Sequence, residues 1–378
     1  MNHLILKYLT ETISEAELNQ LLDWLEKDKN KKKFEKFVRD NYSINMLCND
    51  VDEVGSLERV KKVISNQRKA FTVKRWYYVA AAVLIGVMLS GYLLKGLLPN
   101  TESDNNPVIS SKNIKIGSDR AILTLETGET IELEEGVAFN TKNASSNGRQ
   151  IAYDNNVSEE LVFNTLTVPR GGQFFIKLAD GSQVWLNSDS KLRYPVKFIK
   201  GKSREVELLY GEAYFDVTPS SENGGGKFKV INQSQEVEVL GTEFNIKAYV
   251  DESNIYTTLV EGKVEVSSGV QKQNLLPNQQ ANLNIDRKTI EVRQVSIYNE
   301  VSWKDGVFSF EGKSLKEITK VLSRWYDVDF IFENQLAEGK RFNGALKKNV
   351  KIDEVLEIIR GFEIIENYEI INKTIVLK

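Results

Sequence analysis

The chain has 378 residues, long enough for more than one hydrophobic core. Its 50 Lys/Arg against 53 Asp/Glu leave a net charge of −3, so composition makes no electrostatic case for nucleic acid as a partner. One Cys and one His exclude an internal disulfide, a Cys/His zinc site, and a histidine base anywhere but the N-terminal tip.

Residues 1–75 are basic, with 15 Lys/Arg against 12 Asp/Glu, while the remainder carries 35 against 41. Ser14 and Glu17 have capping-box spacing, in which each side chain satisfies the other's free backbone donor. Leu18, Leu21, Leu22 and Leu25 then repeat as one apolar stripe of a helix. A second helical pattern, after the lysine run, carries Phe34, Phe37 and Val38, and a third carries Leu57, Val60 and Ile64. The reading is a small all-α bundle over residues 1–75, too thin to be sealed by its own core and suited to completion on a partner. The leucine stripe is expected inside it. Trp24, about 100° around the helix from Leu25, is expected to face the partner. The lysine run from Lys29 to Lys36 reads as a solvated face, with DNA or anionic lipid as the alternative contacts.

The run WYYVAAAVLIGVMLSGYLL, residues 76–94, has no charge and the length of a transmembrane helix. Aromatic rings sit at both of its ends, as expected at a membrane–water interface. Lys61, Lys62, Arg68, Lys69, Lys74 and Arg75 precede it, and an acidic, polar stretch follows. The positive-inside rule predicts a cytoplasmic N-terminus and an outer C-terminal part.

After a polar linker, residues 95–114, period-two alternation predicts an all-β domain over residues 115–300, sandwich-like or solenoid-like. LTLETGETIEL (123–133) and IKLADGSQVWL (176–186) match in register, each with a glycine turn, Gly128 and Gly181. Gly211, Gly241 and Gly262 are read as turns between further strand pairs. Ser188 and Lys191 have the Ser-x-x-Lys spacing of penicillin-binding serine enzymes. The stretch reads as strand, however, and residues three apart on a strand point to opposite faces, so no catalytic residue is assigned. The two GKS triplets lack the first glycine of a phosphate loop. No enzyme, cofactor or metal site is expected.

Residues 301–378 read as a β-α-β-β-α-β unit of α+β type, one small sheet with two helices on a face. Ser314 and Glu317 repeat the capping box. Leu315, Ile318, Val321, Leu322 and Trp325 stripe one helix, and Ile352, Val355, Leu356 and Ile359 stripe the other.

The blocks VPRGGQFFIKLADGSQVWLNSDSKLRYP, VELLYGEAYFDV, VEVLGTEFNIKAY and TLVEGKVEV, in this order, resemble those of FecR-type transmembrane anti-sigma factors. The last 75 or so residues resemble the C-terminal domain common in the Bacteroidota branch of that family, similar to the secretin/TonB short N-terminal fold. The resemblance implies that the N-terminal helices hold an extracytoplasmic-function sigma factor, through Leu18, Leu21, Leu22, Trp24, Leu25, Phe34 and Phe37. It implies an inner-membrane location and an outer domain that meets the signalling domain of a TonB-dependent receptor, of iron-chelate or SusC-like glycan type. Membrane-embedded and periplasmic proteases would then free the sigma factor, with no direct nucleic-acid contact. The alternatives are a membrane-bound DNA-binding regulator, which needs a basic recognition helix, and an envelope scaffold.

Overall fold

The structure, a computed structural model, describes residues 4–5, 14–25, 27, 30–31, 33–34, 114–134, 139–140, 144–146, 151–153, 161–362 and 364–378. The expected membrane span at 76–94, Phe37 and the third expected helix of the N-terminal segment lie outside these residues. Among the described residues, no helix is long and apolar enough to cross a membrane. What is described is mostly β-structure.

Helix α1 (Glu15–Leu25) begins at the expected capping box. The Glu17 carboxylate accepts from the Ser14 N–H at 3.0 Å, and the Ser14 hydroxyl accepts from the Glu17 N–H at 3.4 Å. Leu21 is buried with Leu4 and Ile5, and Trp24, Leu25 and Phe34 pack against them.

The β-domain opens with the hairpin β1 (Ser118–Thr124) and β2 (Thr130–Glu134). A small sheet of its own follows, from β3 (Phe139–Asn140), β4 (Ala144–Ser146) and β5 (Ile151–Tyr153). Next come β6 (Phe163–Val168), β7 (Gly172–Lys177), β8 (Gln183–Leu186) and β9 (Ser190–Pro195). The long β10 (Arg204–Asp216) precedes β11 (Phe228–Ile231), β12 (Glu236–Val239) and β13 (Glu243–Ala248). The domain ends with β14 (Asn254–Glu261), β15 (Val264–Ser268), β16 (Gln271–Leu275), β17 (Gln279–Asn284) and β18 (Thr289–Gln294).

β10 organises these strands. Its first half pairs with β9 and β11, and its second half with β8 and β13. It therefore passes from one layer, which holds β1, β2, β6, β9, β11, β12, β15 and β16, to the other, which holds β7, β8, β13, β14, β17 and β18. Because β1 also pairs with β7, the strands β10-β8-β7-β1-β6-β9 close into a barrel-like ring. Alternate side chains of both layers, among them Leu123, Leu166, Ile176, Leu192, Phe215 and Phe244, meet in one core.

Two sequence expectations are revised here. Gly211 is not in a turn: it lies within β10, where the strand changes layers. Its φ of 98°, open to glycine and unfavourable for L-residues, supplies the bend. A Cβ at this position would lie 2.4 Å from Ser190 Cα, so the close approach of β9 also requires glycine. Gly128 and Gly181 do lie in hairpin turns, and the two are alike. Each glycine N–H donates to a leucine carbonyl three residues earlier, Leu125 at 2.9 Å and Leu178 at 3.0 Å. Gly241 lies between β12 and β13, and Gly262 between β14 and β15.

The second revision concerns the C-terminal unit. After α2 (Ile297–Val301) and a short turn, it comprises β19 (Val307–Ser314), α3 (Leu315–Tyr326), β20 (Asp329–Phe332) and α4 (Gln335–Glu338). It continues with β21 (Arg341–Lys347), α5 (Ile352–Gly361), β22 (Tyr368–Ile371) and β23 (Thr374–Leu377). In place of one sheet there are two, the antiparallel pair β19-β21 and the three-stranded β20-β23-β22. The helix stripes explain this. Leu315, Ile318, Leu322 and Trp325 of α3, with Ile352, Val355, Leu356 and Ile359 of α5, present more apolar surface than one small sheet covers. Phe308, Phe310 and Leu346 come from one sheet and Ile370, Ile375 and Leu377 from the other, and all join the same core.

Candidate functional site

The site grows from the segment Pro169-Arg170-Gly171 between β6 and β7. Gly171 has a φ of 71°. That conformation lets its N–H donate to the Arg324 carbonyl, at 2.7 Å, in the last turn of α3. Arg170 continues the docking. Its Nη2 donates to the Ser323 hydroxyl and the Asp329 carboxylate, both at 2.9 Å, and to the carbonyls of Ser323 and Val328. Its Nε lies 3.4 Å from the Asp327 carboxylate. The carbonyls at a helix C-terminus lack intrahelical partners and carry the negative end of the helix dipole, so a guanidinium is well matched there. Arg120 holds the segment from behind by donating to the Arg170 carbonyl at 2.6 Å.

The C-terminal unit reaches back in the same manner. Arg324 pairs with Asp251 at 2.5 Å and Glu252 at 3.2 Å, and Lys320 pairs with Asp251 at 3.1 Å. The Arg324 guanidinium lies 3.5 Å from the centroid of the Tyr249 ring, a cation–π contact made on a buried tyrosine. The Tyr249 hydroxyl in turn donates to the Ser188 carbonyl at 3.0 Å. Burial raises the Asp251 carboxyl, but Arg324 and Lys320 outweigh it and hold that carboxyl below its usual range.

Two buried charges flank this pairing. Lys348 is 3% exposed, lies 3.8 Å from the Trp325 ring centroid and donates to Gln173 of β7 at 2.6 Å. Burial lowers its ammonium to a pKa of about 7. Glu212, in β10, accepts from Asn187 at 2.9 Å and Asn245 at 3.0 Å, and burial raises its carboxyl. Between them, Asn187, Glu212, Lys247, Arg324 and Trp325 help line a cavity of about 20 Å³, room for roughly one water molecule.

Ser188 and Lys191 do not meet. Ser188 is 2% exposed and its hydroxyl donates to the Gly172 carbonyl, whereas Lys191 lies in β9 opposite Thr167 and Tyr210. The neighbouring Asp180-Gly181-Ser182 turn is structural. Asp180 accepts from the Ser182 N–H at 3.0 Å and hydroxyl at 2.7 Å, and pairs with the fully buried Arg204 at 2.6 Å.

At the N-terminal end, Leu22 is 44% exposed, Leu18 and Leu25 are half-buried, and Leu21 is buried. Trp24, expected to face outward, is half-buried against the small core beside Phe34. A ring that large covers apolar neighbours even from the flank of a stripe. Among the described members of the set, Leu22 is the exposed one.

The residues of the joint between the two units went unassigned in the sequence. The cue for Arg170 was an arginine set between proline and two glycines, a rigid turn presenting a charge. Arg324 and Lys320 lie on the polar side of the α3 stripe, and nothing local marks them.

The matches to known proteins fall on the same two units. Residues 164–265 match the FecR protein family and residues 307–377 the FecR C-terminal family. Two solved structures, at 1.65 Å and 2.50 Å resolution, of a candidate anti-sigma factor from Parabacteroides distasonis are similar to this chain. Each is 28% identical with a TM-score of 0.51, and the match covers 57% of this chain and 98% of the other. No curated protein matches significantly. The two family regions and the similar solved structures together support a FecR-type anti-sigma factor, a regulatory family and not an enzymatic one.

Proposed function

We propose that the protein is a single-pass inner-membrane anti-sigma factor that relays a signal from the cell surface to transcription. Residues 1–75 face the cytoplasm and hold an extracytoplasmic-function sigma factor, with Leu22 on the exposed side of α1 among the contacts. Residues 76–94 cross the membrane. The β-domain and C-terminal unit face the periplasm, where the signalling domain of a TonB-dependent receptor engages them. Membrane-embedded and periplasmic proteases then release the sigma factor. The observation that most supports this reading is the pairing of FecR and FecR C-terminal regions after a 19-residue uncharged run preceded by an amphipathic helix. Fusions of a reporter active only outside the cytoplasm test its topology. Activity is expected after Asn113 and none after Arg68, and the reverse pattern would place the sigma factor and the receptor opposite the wrong domains.

A further inference from the structure

The chain does not pass straight from the linker into the β-domain. Ile114 and Ile116 first pack against the core of the C-terminal unit, and Gly117 lies directly under the Trp325 ring. A Cβ at Gly117 would be 2.6 Å from that ring, so the segment is seated as closely as backbone allows. Ser118 then donates to the Gly171 carbonyl at 3.0 Å, tying the start of β1 to the segment that carries Arg170. Residues 114–117, the first described residues after the predicted membrane span, are thus held between the two units.

The hold is of a releasable kind. The two units close separate apolar cores, one drawn from residues 121–290 and the other from residues 308–377 with Ile114 and Ile116 against it. Trp185 and Tyr214 of the β-domain pack with Val301 and Trp303 in a small apolar cluster at the connection before β19. Around α3 the side-chain contacts between the units are polar and reciprocal: Arg170 reaches α3, while Arg324, Lys320 and Lys348 reach the β-domain. Interfaces of charged and polar contacts over independent cores come apart at far lower cost than either core unfolds.

We propose that the C-terminal unit is a releasable clamp on residues 114–117, latched by Arg170 and Arg324, and that its release exposes this segment to proteolysis. The idea rests on the relay proposed above and adds its regulated step. A protease needs an extended stretch of free backbone, and here that stretch becomes free only when α3 leaves the Arg170 segment. Lys115, exposed between two half-buried isoleucines, makes the segment accessible to a trypsin assay.

The experiment uses the purified full-length chain and measures cleavage of the Lys115–Ile116 bond by trypsin, with hydrogen exchange at the Gly171 amide read in parallel. Arg170→Ala with Arg324→Ala should raise both rates by about tenfold or more, as expected for losing charge-assisted hydrogen bonds. Gly117→Ala, which disturbs the seat under Trp325 without touching the latch, should raise cleavage and leave the Gly171 exchange nearly unchanged. Cleavage that is equally fast in the parent and the double-alanine variant overturns the proposal, as does faster Gly171 exchange with no change in cleavage. Neither readout needs a sigma factor or a receptor. A chain that fails to hold a sigma factor would refute the relay while leaving this result standing.

Discussion

Gly211→Ala should be among the most damaging small substitutions in the β-domain, and its cost separates two causes. The first is backbone: a φ of 98° disfavours an L-residue by about 1–2 kcal/mol. The second is space, because the new methyl would lie 2.3 Å from Ser190 Oγ and 2.4 Å from Ser190 Cα, which is backbone and cannot swing away. Ser190 is itself fixed, accepting from the Glu212 N–H at 2.9 Å and donating to the Glu212 carbonyl at 3.2 Å. Forcing β9 and β10 apart adds an overpacking cost of about 1–3 kcal/mol, for a total of roughly 2–5 kcal/mol. Gly128→Ala provides the control. It has a φ of 85° and nothing within 4 Å of its Cβ, so it carries the backbone cost alone, about 1–2 kcal/mol. Urea unfolding followed by tryptophan fluorescence measures both, and Trp185, in β8 beside the second half of β10, is the natural reporter. Costs that agree within about 1 kcal/mol would refute the view that β10 turns its corner against β9.

Asp180→Asn should cost about 3–5 kcal/mol, because it leaves Arg204 buried and uncompensated; pairing it with Arg204→Met should recover most of that loss in the same assay. Lys348 is depressed from 10.5 to about 7, so between these values the unfolded chain binds the extra proton and stability rises with pH. Urea midpoints should accordingly increase from pH 7 toward pH 10, and Lys348→Met should flatten that rise; an unchanged slope would contradict the burial of this ammonium. Glu212, raised by burial, contributes with the opposite sign, so the diagnostic is the difference in slope between the parent and Lys348→Met. In the N-terminal segment, Leu22→Asp should weaken sigma-factor capture at least tenfold in calorimetry without loss of helicity by circular dichroism. Trp24→Ala, half-buried, should lower helicity and capture together.

What could be read from the sequence was local. Both capping boxes, at Ser14/Glu17 and Ser314/Glu317, form as their spacing implies. The stripe over α5 is buried throughout, and the matched glycine hairpins share one turn geometry. Each of these depends on side chains within about one turn or hairpin of each other. The misread features depend on distant partners. Gly211 resembles the other strand-junction glycines in sequence, and only its apposition to Ser190 makes it a mid-strand corner. The C-terminal strands alternate in the same way whether they form one sheet or two, and the choice is made by how much of α3 and α5 must be covered. The joint was the least legible part. Arg170 finds Ser323 and Asp329 across more than 150 residues, and no periodicity encodes that meeting.

The central claim, that this chain holds a sigma factor, is tested most directly by purifying the tagged full-length protein from its own cells in detergent and identifying what accompanies it. The account predicts an extracytoplasmic-function sigma factor, retained by the parent and depleted from the Leu22→Asp variant. Recovery of bound DNA, or of envelope proteins alone with no sigma factor, would contradict it.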